Sequence, residues 1–149
     1  MIILSPYARV GPDVVKNAKN YPYWDKVVKL LKDYHIVQVG IAGEEKIVED
    51  VRYDLSLEEL KTLILECETW MSVDSFFQHY AWSLNKPGVV VFSKSDPNIF
   101  GHRENINVLK DRKYLRPDQF GLWKDCPYDK NAFVAPEKVV EALNFFLKK

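Results

Sequence analysis

Between Trp70 and Phe92 an apolar run, two capping residues, a helical repeat and a second apolar run follow one another directly. Trp70 to Val73 is short, apolar and β-branched at its end, as in a buried strand. Asp74 and Ser75 interrupt it with side chains that favour the helix N-cap. From Phe76 onward, Phe77, Tyr80, Ala81 and Leu84 recur at helical spacing. Lys86-Pro87 ends the helix, and Gly88 to Phe92 reads as the next buried strand. The turn therefore sets Asp74 and Ser75 at the carboxyl end of a strand and the amino end of a helix. Open α/β sheets bind ligands along that edge. Unpaired helix amides and the positive end of the helix dipole favour an anion there, typically a phosphate.

The rest of the chain repeats the alternation. Ile2 to Ser5 is a first strand, followed by a long loop from Tyr7 to Asn20 with room for one helical turn. Tyr21 to Asp33 is expected to be a helix, with Pro22 in its first turn and Trp24, Val27, Val28 and Leu31 on its apolar face. His35 to Val39 is a second strand, Gly40 to Gly43 a turn, Glu44 to Asp50 a short helix and Arg52 to Leu55 a short edge strand. Ser56-Leu-Glu-Glu59 is a capping box opening a helix that ends near Glu66-Cys67. Ser93 to Asn98 is a polar turn, and Ile106 to Leu109 a further short strand. Residues 110–134 show no period and are expected to be irregular. A last helix occupies 135–149. Alternating strands and helices predict one α/β domain over 1–149, with a parallel sheet of about five or six strands and helices on both faces.

The 149 residues are enough to bury a core, and 21 basic residues balance 21 acidic ones. Without a basic stripe, nothing selects nucleic acid as a partner. No apolar run approaches a transmembrane span. Cys67 and Cys126 lack metal-ligand spacing and read as reduced thiols of a cytoplasmic protein, although two cysteines can also pair.

Three groups are candidates for binding, each with a plainer alternative. Asp74, Ser75 and His79 suit a diphosphate at a helix start, or an N-cap pair beside a partly buried histidine. Gly40 to Gly43 followed by Glu44 and Glu45 suits a ribose, or a tight turn with acids at a helix start. The dinucleotide glycine spacing is absent there. Lys19 can reach a phosphate as a point charge, or stay an exposed loop lysine. Asp96 can join Asp74 as an acid or base only if the fold brings the two together. The four Trp, eight Tyr and eight Phe sit mostly at core-facing positions.

Four segments in order resemble the nucleotide-sugar-binding, C-terminal half of the ADP-heptose:lipopolysaccharide heptosyltransferases, glycosyltransferase family 9. Ala18-Lys-Asn-Tyr-Pro22 is similar to that family's Lys-x-Trp-Pro segment, and Val39 to Glu45 to its glycine-rich turn with acids. Asp54 to Leu60 resembles the lead into the helix before the central strand. Ser72 to Pro87 resembles the Val-Asp-Ser/Thr-Gly-x-x-His-x-Ala-x-x-Leu-x-x-Pro signature. The likeness covers about residues 1–109 and implies a Rossmann-like domain, one half of a GT-B fold. It further implies inverting transfer from a nucleotide-diphosphate sugar, with no metal and no cofactor. By the resemblance, Ser5 and Lys19 approach the donor phosphates. Gly43 and either Glu44 or Glu45 lie at the ribose, and Asp74, Ser75, Phe76 and His79 at the diphosphate and sugar. Phe76 stands where the family has glycine, so a side chain occupies the point of close backbone approach. The family's catalytic aspartate belongs to the acceptor-binding half, which has no counterpart in these segments. The implied partner is therefore a separate acceptor-binding chain or a homo-oligomer. The alternative is a non-catalytic nucleotide-, sugar- or partner-binding module on the same fold.

Overall fold

The computed structural model describes residues 1–8 and 17–147. Six parallel strands form one sheet: β1 (Ile2–Ser5), β2 (Ile36–Gly40), β3 (Asp50–Tyr53), β4 (Thr69–Val73), β5 (Val89–Val91) and β6 (Ile106–Val108). Their order is β3-β2-β1-β4-β5-β6, so the winding reverses between β1 and β4. The helices are α1 (Trp24–Leu30), α2 (Leu57–Glu66), α3 (Phe76–Ser83), α4 (Pro97–Phe100) and α5 (Pro136–Phe146). The expected α/β sheet, parallel and covered on both faces, is the one observed. No helix among the described residues is long and apolar enough to cross a membrane.

Strand alternation builds two cores. Ile2, Leu4, Met71, Val73, Val89 and Val91 face α1 and α5, meeting Trp24, Val27, Val139 and Leu143. Ile3, Val37, Val39, Trp70, Val90 and Phe92 point the other way, onto Leu63 and Ile64 of α2 and Phe77 and Ala81 of α3. Full burial of such a side chain contributes roughly 1.5–3 kcal/mol. A one-residue slip of β1 or β4 would exchange the two sets, so packing sets the register.

The structure corrects two helix expectations. Residues 44–50 are not helical; the chain bends until β3 begins at Asp50. Buried Gln38 explains this. Its amide donates to the Glu45 carbonyl (2.9 Å) and its oxygen accepts from Ile47 N (2.7 Å), so these backbone groups are satisfied without a helix. The helix expected over 21–33 is confined to Trp24–Leu30, with turns on either side. Residues 110–134 hold three 3₁₀ turns, Arg112–Tyr114, Trp123–Asp125 and Lys130–Ala132, in an otherwise irregular path. The capping box is present, with Glu59 N donating to Ser56 Oγ and Ser56 N to the Glu59 carboxylate. Most of the loop after β1, with its suggested helical turn, lies outside the described residues.

Candidate functional site

The reversal between β1 and β4 splits the connections leaving these strands to opposite sides and opens a crevice at their carboxyl ends. A cleft of about 600 Å³ lies there. Ser5 borders it from β1, Gly40 and Glu44 from the end of β2, and Asp74, Ser75 and Phe76 from the β4–α3 turn. Lys19 reaches it from the loop before α1. Six of the sequence candidates, Ser5, Lys19, Glu44, Asp74, Ser75 and Phe76, thus share one cleft.

Its floor is charged. The Lys19 ammonium lies 3.3 Å from Asp74 Oδ2, and the Gln78 amide donates to Asp74 Oδ1 at 2.6 Å. Asp74 is only 4% exposed, so its carboxylate depends on these two partners. Above it, Ser75 is the N-cap of α3 in extended backbone, yet its hydroxyl donates back to the Val73 carbonyl (3.3 Å) instead of accepting from the helix. The first-turn amides of α3 therefore have no side-chain cap. Phe76, 61% exposed, stacks on Tyr80 with ring centres 5.6 Å apart.

The β2 side of the cleft is acidic and tightly turned. Glu44 folds back over Gly40 to accept from Ile41 N at 2.9 Å, and a Cβ at Gly40 would run into that carboxylate. Gly43 has φ of +96°, a conformation side chains avoid. Tyr53 Oη donates to the Glu44 carbonyl (2.7 Å), and Ala42 N donates to Asp54 Oδ1 (3.2 Å). Gly43 and Glu45 line an adjoining hollow that shares Tyr7, Ala8, Ile41 and Glu44 with the cleft. Burial, then the charges of Glu45 and Glu44, push the Tyr7 hydroxyl up to about 12, so it stays a neutral donor.

His79 lies elsewhere. Its Nδ1 pairs with His102 Nε2 at 2.8 Å, where Trp82 stacks on the His102 ring and donates to Glu104 at 2.9 Å. Burial and the neighbouring His79 hold the His102 imidazole below its ordinary range. One turn into α3, His79 thus faces the α4–β6 connection and is not among the residues lining the cleft. Asp96 does not join Asp74 as a free carboxylate. It caps α4 and takes two bonds from Arg112, at 3.0 and 2.7 Å, which hold it well below the usual carboxylate range. Among the described residues no group of three His, Cys, Asp or Glu side chains is placed to hold a metal.

Sequence reasoning missed part of the wall. Leu55, Leu57 and Leu60 line the cleft from the α2 side; Leu55 falls in the expected edge strand and the other two in the expected helix, so neither pattern singled them out. Leu122 and Trp123 line it from the aperiodic segment, where no pattern singled them out. The assembled cleft has a cationic end at Lys19 and the α3 amides, carboxylates at Glu44 and Asp54, and an apolar wall. It suits an elongated ligand with an anionic group, hydroxyls and a flat apolar part.

Residues 3–115 match glycosyltransferase family 9 (heptosyltransferase). No curated protein sequence matches the chain. Among solved structures, Escherichia coli ADP-heptose LPS heptosyltransferase II superposes with a TM-score of 0.71 at 23% identity, over 98% of this chain and 46% of that one. The family 9 glycosyl transferase from Veillonella parvula DSM 2008 gives 0.72 at 18% identity, over 99% and 46%. E. coli heptosyltransferase WaaC with ADP gives 0.58 at 19% identity, over 71% and 36%. The chain thus spans less than half the length of the structures it resembles.

Proposed function

The chain belongs to glycosyltransferase family 9, and we propose that its cleft is a donor site that holds a nucleotide-diphosphate sugar. One observation carries this reading: Lys19 and the uncapped amino end of α3 meet in a single cleft where the sheet winding reverses. The diphosphate lies against Lys19 and the α3 amides, the ribose hydroxyls reach Glu44, and the base rests on Leu55, Leu57 and Leu60. Asp74 keeps Lys19 in place before the ligand arrives and limits its charge, so binding is modest. This domain supplies one wall; transfer requires an acceptor-binding domain opposite it, which brings the general base. The unpaired thiols Cys67 and Cys126 suit a reducing compartment, the cytoplasm.

A thermal-shift series with ADP, UDP, GDP and their sugar derivatives tests the reading. A ligand at one hundred times its Kd stabilises the native state by about 2.7 kcal/mol. For a domain of this size, that raises the midpoint by roughly 5–10 °C. Lys19→Met should shrink the shift by weakening binding roughly tenfold to a hundredfold. No shift with any nucleoside diphosphate would overturn the donor-site reading. Phe76 favours a second reading, a non-catalytic binding module, because it puts an exposed aromatic side chain at the first position of α3 on the cleft wall. Donor consumption in the presence of a matching acceptor-binding domain separates the two: turnover excludes the module.

A further inference from the structure

The segment after residue 115, where the family match ends, contributes Trp123 to this cleft. Arg116 N donates to the Lys94 carbonyl at 3.0 Å, and Gln119 ties the same stretch to Lys94 and to Asp96 N. The Arg116 guanidinium then donates to the carbonyls of Gln119, Gly121 and Leu122, closing a compact loop. Its central carbon lies 3.6 Å from the centre of the Trp123 indole. The same indole lies 4.6 Å from the Lys19 ammonium. Trp123 and Lys19 both line the cleft.

We infer that Trp123 is a positioning residue whose indole, fixed by Arg116, holds the Lys19 ammonium where an anionic ligand meets it. The inference rests on the donor-site reading for its consequence and on the free protein's geometry for its mechanism. A lysine carries its charge on a flexible four-carbon stem, and each freely populated rotamer lowers the fraction ready to bind. Asp74 alone would draw the ammonium onto a buried carboxylate. A π face on a second side attracts the cation without neutralising it, so the charge remains available to a phosphate. Arg116 makes the indole a fixed surface, because its own guanidinium is held by three carbonyls. A merely structural role for Trp123 would hold the loop and leave Lys19 unaffected.

Two measurements on the whole chain test this. In the ligand-free protein, carbon–proton correlation spectra should show the Lys19 ε-methylene moved upfield by the indole ring current. The displacement should vanish in Trp123→Leu and persist, reduced, in Trp123→Phe. Calorimetry with ADP should show binding weakened roughly tenfold in Trp123→Leu and within about threefold of wild type in Trp123→Phe. Lys19→Met/Trp123→Leu should bind no more weakly than Lys19→Met alone, because the indole acts through the lysine. An undisplaced Lys19 resonance in the wild type would overturn the inference. So would additive losses in the double variant, or unchanged ADP binding by Trp123→Leu. A displaced Lys19 resonance with no ADP binding by the wild type would support the placement and overturn the donor-site reading instead.

Discussion

Phe76→Gly should move stability and affinity in opposite directions. The Phe76 ring is 61% exposed, so it recovers less than half of the roughly 1.5–3 kcal/mol that full burial of such a side chain brings. Its stack on Tyr80 adds about 0.5–1.5 kcal/mol. A glycine in the first turn of α3 costs up to about 1 kcal/mol more in backbone entropy. The free variant should lose about 2 kcal/mol in all, lowering its melting midpoint by roughly 4–8 °C. Affinity runs the other way. Without the ring, a diphosphate can approach the uncapped α3 amides. One close hydrogen bond to a charged group contributes about 1.5–3 kcal/mol, roughly tenfold to a hundredfold in Kd. Calorimetry with ADP on both proteins measures the second effect, and thermal melts without ligand the first. Equal or weaker ADP binding by the glycine variant would refute the steric argument, whatever its stability.

Lys19→Met should be strongly destabilising, since it strips a buried carboxylate of its cation. Breaking such a pair costs about 3–5 kcal/mol, reduced here because Lys19 keeps 18% of its side chain exposed. Adding Asp74→Asn should restore much of the midpoint, and a double variant no better than the single one would contradict the pairing. The lowered His102 value predicts a pH effect of definite sign. Stability linked to this group is fully present above the ordinary histidine range and is lost as the pH falls through the depressed folded value. Melts from pH 8 to pH 5 should show this fall, and His102→Gln should flatten it. Gly88→Ala would drive a methyl into the Trp70 indole and backbone. Overpacking of this kind costs about 1–3 kcal/mol, so soluble yield and midpoint should both drop.

Period and punctuation make much of this molecule legible in its sequence. The apolar runs Ile2 to Leu4 and Trp70 to Val73 specified strands buried on both faces, and such strands require crossover helices. The capping box at Ser56 and Glu59 is a purely local bond pattern, so its sequence signature sufficed. The place of Asp74 and Ser75 at the carboxyl edge of the sheet was readable for the same reason: a strand followed at once by a helix leaves its turn there.

What the tertiary structure alone decided are matters of direction and of contacts distant in sequence. Residues 44–50 read locally as a helix, but the Gln38 side chain satisfied part of their backbone from the sheet. His79 shares a helix with the Asp74–Ser75 turn, yet its position on α3 aims it at His102. Asp96 was a candidate acid until Arg112, from a segment without period, occupied both its oxygens. The Trp123 indole reached Lys19, more than a hundred residues away, through a loop held by carbonyl bonds to Arg116. Hydrophobic period records only which side of an element is buried. Where a side chain ends, and which distant charge it meets, depends on contacts that exist only once the chain has folded.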